Sequence, residues 1–207
     1  MSLETLKYLR LLVPGIIIVF FWGLLGKWTG EWKFDAPKSL SDLAKTLPAI
    51  IAGVIYYVTP LRDWANRRNH ADVKLNIIHG ITDIAGDDTD QQKSEWSNVK
   101  MLFYRIVDSE ESLKTQSKRA YFNGLLWTST ADLKAISILF AVYSILHHFI
   151  FSSQGALSGV VVFSLIAAAT WPISWKLTAL HKEISDGQID IIRKFHSDKV
   201  KAYFEND

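Results

Sequence analysis

Apolar and charged positions divide the chain into two kinds of segment. From Ala135 to Trp175 the chain runs without one Asp, Glu, Lys or Arg. A bilayer core is roughly 30 Å thick, and a helix needs about 20 mostly apolar residues to cross it. The run is long enough for two spans, about 132–151 and about 156–175, hinged at the polar, turn-forming Ser152-Ser153-Gln154-Gly155. Thr128, Ser129 and Thr130 stand where they can cap the first of these, with Asp132 in its first turn. Upstream, Leu11–Gly26 lies uncharged between Arg10 and Lys27, and Thr46–Leu61 between Lys45 and Arg62. Each of these stretches is somewhat short for a full crossing. Snorkelling Lys7, Arg10 and Lys27, with Trp22, Trp28 and Trp64 at the headgroups, lengthen such short spans. Two further spans are expected at about 11–27 and about 45–61. The first is expected to stay uncleaved, because no small-x-small site follows Leu25.

The remaining segments carry helical periodicity. Arg62 to Ala85 continues the second span with Val73, Ile77, Ile81 and Ile84 on one face, until Gly86-Asp87-Asp88-Thr89-Asp90 breaks it. Trp96, Val99, Leu102, Phe103, Ile106 and Val107 form a second amphipathic stripe. Ser109-Glu110-Glu111 restarts a third helix, expected to end at the turn pair Asn123-Gly124. Ile184, Gln188, Ile191 and Phe195 keep helical spacing in the tail. The expected fold is all-α: a transmembrane hairpin over 1–61, a cytoplasmic helical region over 62–131, a second hairpin over 132–175 and a cytoplasmic helical tail over 176–207. The narrow stripes ask for neighbouring subunits to cover them, which predicts a homo-oligomer, taken here as a tetramer.

Charge changes the picture through its placement. The totals nearly cancel, 23 Lys+Arg against 21 Asp+Glu. Segments 1–10, 62–134 and 176–207 carry 2, 11 and 6 Lys+Arg, whereas 27–45 carries 4 and the Ser152–Gly155 hinge none. The positive-inside rule then predicts a bacterial inner-membrane protein with both termini and the 62–134 segment in the cytoplasm. The absence of Cys excludes disulfides, thiolate catalysis and Cys-ligated zinc.

Candidate chemistry is sparse. Asp87, Asp88 and Asp90 lack the further ligands of a calcium loop and read as a solvated acidic turn. His147 and His148 are adjacent, so on a helix they point about 100° apart and do not easily face one metal ion. Arg67, Arg68, His70 and Lys74 form a basic cluster below the second span; Lys114, Lys118 and Arg119 form another beside Tyr121, Phe122 and Trp127. These clusters read either as anchors at an anionic lipid surface or as a site for a nucleotide or oligonucleotide. In the latter, Arg and Lys take the phosphates and an aromatic ring stacks a base. Arg193, Lys194 and His196 on the tail extend such a site. Pro172 near the end of the last span removes a helical hydrogen bond and supplies either a gating hinge or a static kink. Ser137, Ser144, Ser158, Ser164, Thr170 and Ser174 give the spans small polar groups for helix contacts or pore lining. The spans hold no charge beyond their ends, and no phosphate-loop, HExxH or GxSxG pattern occurs. No enzyme activity, cofactor or metal is expected.

The stretch Phe103-Tyr104-Arg105-Ile106-Val107-Asp108, continued by Asn123-Gly124-Leu125-Leu126-Trp127-Thr128-Ser129 into the third span, sits in a four-span layout with cytosolic termini. As whole-chain architecture this resembles the membrane effectors of bacterial anti-phage defence, among them the Hailong-type channel effector and the Kiwa membrane subunit. The first likeness implies a homo-oligomeric channel that depolarises the membrane under control of oligonucleotides made by a partner nucleotidyltransferase. The second implies a membrane subunit working with a cytosolic DNA-binding partner, and so a non-conducting scaffold. Neither carries a binding residue over to this sequence.

Overall fold

A computed structural model describes residues 3–31, 47–86 and 95–205. Every regular element among them is helical: α1 (Leu3–Thr29), α2 (Leu47–Val58), α3 (Pro60–Ala85), α4 (Trp96–Ser109), α5 (Glu111–Phe151), α6 (Gln154–Phe195) and α7 (Ser197–Glu205). Three of them, α1, α5 and α6, are long and apolar enough to cross a membrane. At 12 residues and about 18 Å, α2 is shorter than a bilayer core. Residues 45 and 46 of the expected second span, and Asp87, Asp88 and Asp90, lie outside the described residues.

The chain folds as two units, one of residues 1–67 and 125–175, the other of 68–124 and 176–207. In the first, Phe21, Phe140 and Phe163 meet with ring centroids 4.7 to 5.5 Å apart, around Leu25, Ile136 and Ala141. Backbones approach closely where side chains are absent. A Cβ at Gly15 would stand 1.8 Å from the Ala49 carbonyl oxygen, and one at Gly53 would stand 2.4 Å from that of Leu11. The pair Ala49-x-x-x-Gly53 thus lets α2 lie directly on α1, the small-residue contact that replaces hydrophobic drive between helices in lipid. Ser137 and Ser144 are buried, but their hydroxyls bond back to the carbonyls of Leu133 and Phe140 at 2.7 Å. Ser158 and Ser164 are exposed.

In the second unit, Val73, Ile77, Ile81 and Ile84 are buried, as are Val99, Leu102, Phe103, Ile106 and Val107. The tail departs from its expected face. Ser185, Gln188, Ile189 and Ile192 are buried, whereas Phe195 is 63% exposed. The buried stripe is therefore turned by about one residue, roughly 100°, from the Ile184–Phe195 line. Gly80 accounts for part of the turn, since a Cβ there would meet the Ile189 side chain at 2.5 Å.

Helix ends show where local signals win. Gly86, at φ +109°, stops α3, and Ser152, at φ 51°, turns the chain between α5 and α6. Asn123-Gly124 does not stop its helix. Instead α5 runs unbroken for 41 residues, about 62 Å. The Asn123 amide donates to the Leu177 carbonyl at 3.1 Å and lies 3.2 Å from His181 Nδ1, partners that an Asn in a surface turn would not have. Thr128 and Thr130 are consequently mid-helix rather than caps, bonding to the carbonyls of Leu125 and Leu126. Pro172 likewise lies within an unbroken 42-residue α6.

Candidate functional site

The first unit holds a buried polar cluster built on the α2–α3 junction. Thr59 donates its hydroxyl to the Tyr56 carbonyl at 2.8 Å, and Pro60 opens α3, where its missing N–H costs nothing. The break puts Tyr56 on one side and Arg62 and Asn66, one turn apart, on the other. All three face Asp132 of α5, which is 1% exposed. Tyr56 Oη donates to Asp132 Oδ1 at 3.0 Å, and Asn66 Nδ2 donates to the same oxygen at 3.1 Å. Arg62 Nε stands 4.0 Å from Oδ2. The Arg62 guanidinium also lies 4.3 Å over the Tyr57 ring. Buried Asn66 Oδ1 and Arg62 Nε make no hydrogen bond within the protein.

Asp132 thus ties three points of the α2–α3 junction to α5. The two hydrogen bonds to the enclosed carboxylate are lost only at a cost, since a buried acceptor or donor left unsatisfied is destabilising. The helix start expected at Asp132 is not there: the residue lies inside α5, and its carboxylate, at the end of the expected span, is enclosed. The legible signals were an Asp just ahead of the long uncharged run, and an Arg-x-x-x-Asn pair beyond a Thr-Pro break.

At the other end of α5, His147 is 4% exposed and its Nε2 lies 2.7 Å from Glu31 Oε1. His148 points elsewhere, its Nδ1 donating to the Ser153 carbonyl at 2.9 Å and so closing the helix end. The divergence of the two rings matches their helical spacing.

The basic residues of the second unit are exposed. Arg68, His70 and Lys74 lie on α3, Lys118, Arg119 and Tyr121 on α5, and Arg193 and Lys194 on α6, all at the surface. Lys74 Nζ lies 5.8 Å from the Trp96 ring centroid, and Lys194 sits over its neighbour Phe195. Arg67 belongs to the first unit and is exposed. Trp127 also belongs to the first unit and is 3% exposed, so its ring is enclosed and presents no stacking surface. Arg193 is engaged by Asp83 at 2.7 Å and Asp190 at 3.4 Å. An open groove of about 420 Å³ surrounds it, walled by Asp83, Asp186, Asp190, Asn76 and His79. Three carboxylates against one guanidinium make this groove unfavourable for a phosphate.

Glu110, between α4 and α5, and His196, between α6 and α7, are joined by a hydrogen bond between His196 Nε2 and the Glu110 carboxylate, which links two helix breaks. The Ser112 hydroxyl donates to the same carboxylate. These contacts, Ser112 first and His196 second, hold the Glu110 carboxyl below the usual carboxylate range. Among the described residues, no group of three or more His, Asp or Glu is placed to hold a metal ion. No protein-family model, curated protein or solved structure matches the chain.

Proposed function

We propose that the protein is a subunit of a homo-oligomeric inner-membrane channel, gated from the cytoplasm by an anionic ligand of the nucleotide or oligonucleotide class. The observation that carries this reading is continuity: α5 and α6 each pass from the charged, exposed sequence of the second unit into the apolar sequence of the first without a break. A displacement of the charged part of either helix is then transmitted to its apolar part. In this reading α1, α5 and α6 cross the bilayer with both termini cytoplasmic, and α2 with α3 forms the remaining pass. The Asp132 cluster latches the α2–α3 junction in one state, and Pro172 lets α6 bend when the latch yields. Arg68, Lys74, Lys118, Arg119 and Lys194 are exposed cations that would take the ligand's phosphates. The resemblance to anti-phage membrane effectors supplies a biological setting, in which opening depolarises the infected cell.

The test is binding of a short oligodeoxyadenylate to the purified protein. Micromolar binding that weakens with added salt, and falls about tenfold in Arg68→Ala and Lys118→Ala, is the expected result. No binding to the wild-type protein removes the ligand from the proposal. A scaffold that recruits a cytosolic protein is the second reading. It is favoured by the exposed face of α4, where Met101 and Tyr104 are 60% and 40% exposed. Stoichiometric co-purification of a partner that Met101→Glu abolishes, without ion leakage, would select it.

A further inference from the structure

We infer that the first unit carries a binding site for the headgroup of an anionic phospholipid, formed by Lys134, Trp171 and Trp175. The inference rests on the membrane reading above. Lys134 Nζ lies 5.7 Å from the Trp171 ring centroid. Trp171 and Trp175 stand one turn apart on α6 and are 68% and 75% exposed. Two large indoles left open side by side suit the bilayer boundary, where the ring meets acyl chains and the N–H meets headgroups.

Depth fixes which part of the lipid they meet. Lys134 stands nearly five helical turns before the end of α5 at Phe151, and Trp171 the same distance after the start of α6 at Gln154. Each is therefore about 26 Å from the hairpin turn, close to the roughly 30 Å of a hydrocarbon core. With the turn at one surface, the pair reaches the headgroups of the other leaflet.

Charge fixes the class of headgroup. Two positions along a helix point about 200° apart. Asp132 faces Tyr56, Asn66 and Arg62, so its carboxylate is committed inward and Lys134 points away from it. Among the described residues Lys134 forms no ion pair with a carboxylate. Its ammonium is left for a phosphate, while the indoles hold the glycerol and upper acyl region. A zwitterionic headgroup brings its own cation beside the ammonium; a phosphatidylglycerol does not.

The experiment reads lipid retained by the protein from nanodiscs of equal phosphatidylglycerol and phosphatidylcholine, using native mass spectrometry. Wild type is expected to retain phosphatidylglycerol about fivefold over phosphatidylcholine. Lys134→Gln and Trp171→Leu are expected to lose that preference with unchanged helical circular dichroism, and Lys134→Arg to keep it. Equal retention by wild type, or a preference that survives Lys134→Gln, overturns the site. Displacement of the lipid by millimolar glycerol phosphate overturns it too, because the ligand would then be free phosphate. Failure of the protein to float with vesicles of either lipid would sink the membrane reading itself, a separate result.

Discussion

Asp132 decides the packing of the first unit at the scale of one residue. Asp132→Ala removes the acceptor of Tyr56 and Asn66 and leaves partly exposed Arg62 without its carboxylate. A buried polar group left without its partner costs about 1–3 kcal/mol, and unfolding of the detergent-solubilised protein should show a loss of at least that order. Tyr56→Phe removes one hydrogen bond and should cost about 1–3 kcal/mol in the same assay. A loss under about 1 kcal/mol for Asp132→Ala would mean the cluster is not enclosed as described. Glu110 sets a pH dependence. Its folded-state carboxyl is held below the ordinary value of 4.5 by Ser112 and then His196. Its contribution is therefore present above that ordinary value and is lost as pH falls through the lower, folded-state value. Thermal midpoints of wild type should fall across this acid range, and Glu110→Gln should flatten the fall. An identical acid profile in the variant would contradict the linkage.

Close contact and continuity are what the helices add at the scale of elements. Gly15→Val places branched atoms against the α2 backbone, already 1.8 Å from a Cβ at that position. It should destabilise by about 1–3 kcal/mol or more, read by the same unfolding measurement. Pro172→Ala restores an interior hydrogen-bond donor on an exposed helix face. It should raise the thermal midpoint and, on the gating reading, reduce the ligand-dependent change in ion flux; an unchanged flux response would make Pro172 a static feature. Elements were legible wherever the chain itself held the information: the uncharged run with its Ser152 turn, the Gly86 stop, and the Val73–Ile84 and Val99–Val107 stripes. They were misread where a distant partner decides. Asn123-Gly124 reads as a turn until Leu177 and His181 occupy the Asn side chain. The tail's buried line turns away from Phe195 because Gly80 admits Ile189.

The site was the least legible part at the scale of the molecule, and the reason is separation. Tyr56 and Asp132 are 76 positions apart and Asn66 and Asp132 are 66 apart, so no local window contains the cluster. The basic residues, by contrast, stand out in sequence because they are exposed, and exposure alone does not bring them together. Enclosure of Trp127 removes one ring from a stacking role, and Asp83 and Asp190 engage Arg193, while the cations of α3, α5 and Lys194 of α6 stay exposed. What remains is three helices, α1, α5 and α6, long and apolar enough to cross a membrane, on which the proposal of a gated channel rests. Its most direct test is ion flux from potassium-loaded proteoliposomes of purified protein, followed with a voltage-sensitive dye before and after a short oligodeoxyadenylate is added. The account predicts a dye response that depends on the protein, changes on addition of the oligonucleotide, and loses that change in Lys118→Ala. Tight vesicles with and without oligonucleotide, in samples where flotation proves insertion, would contradict it.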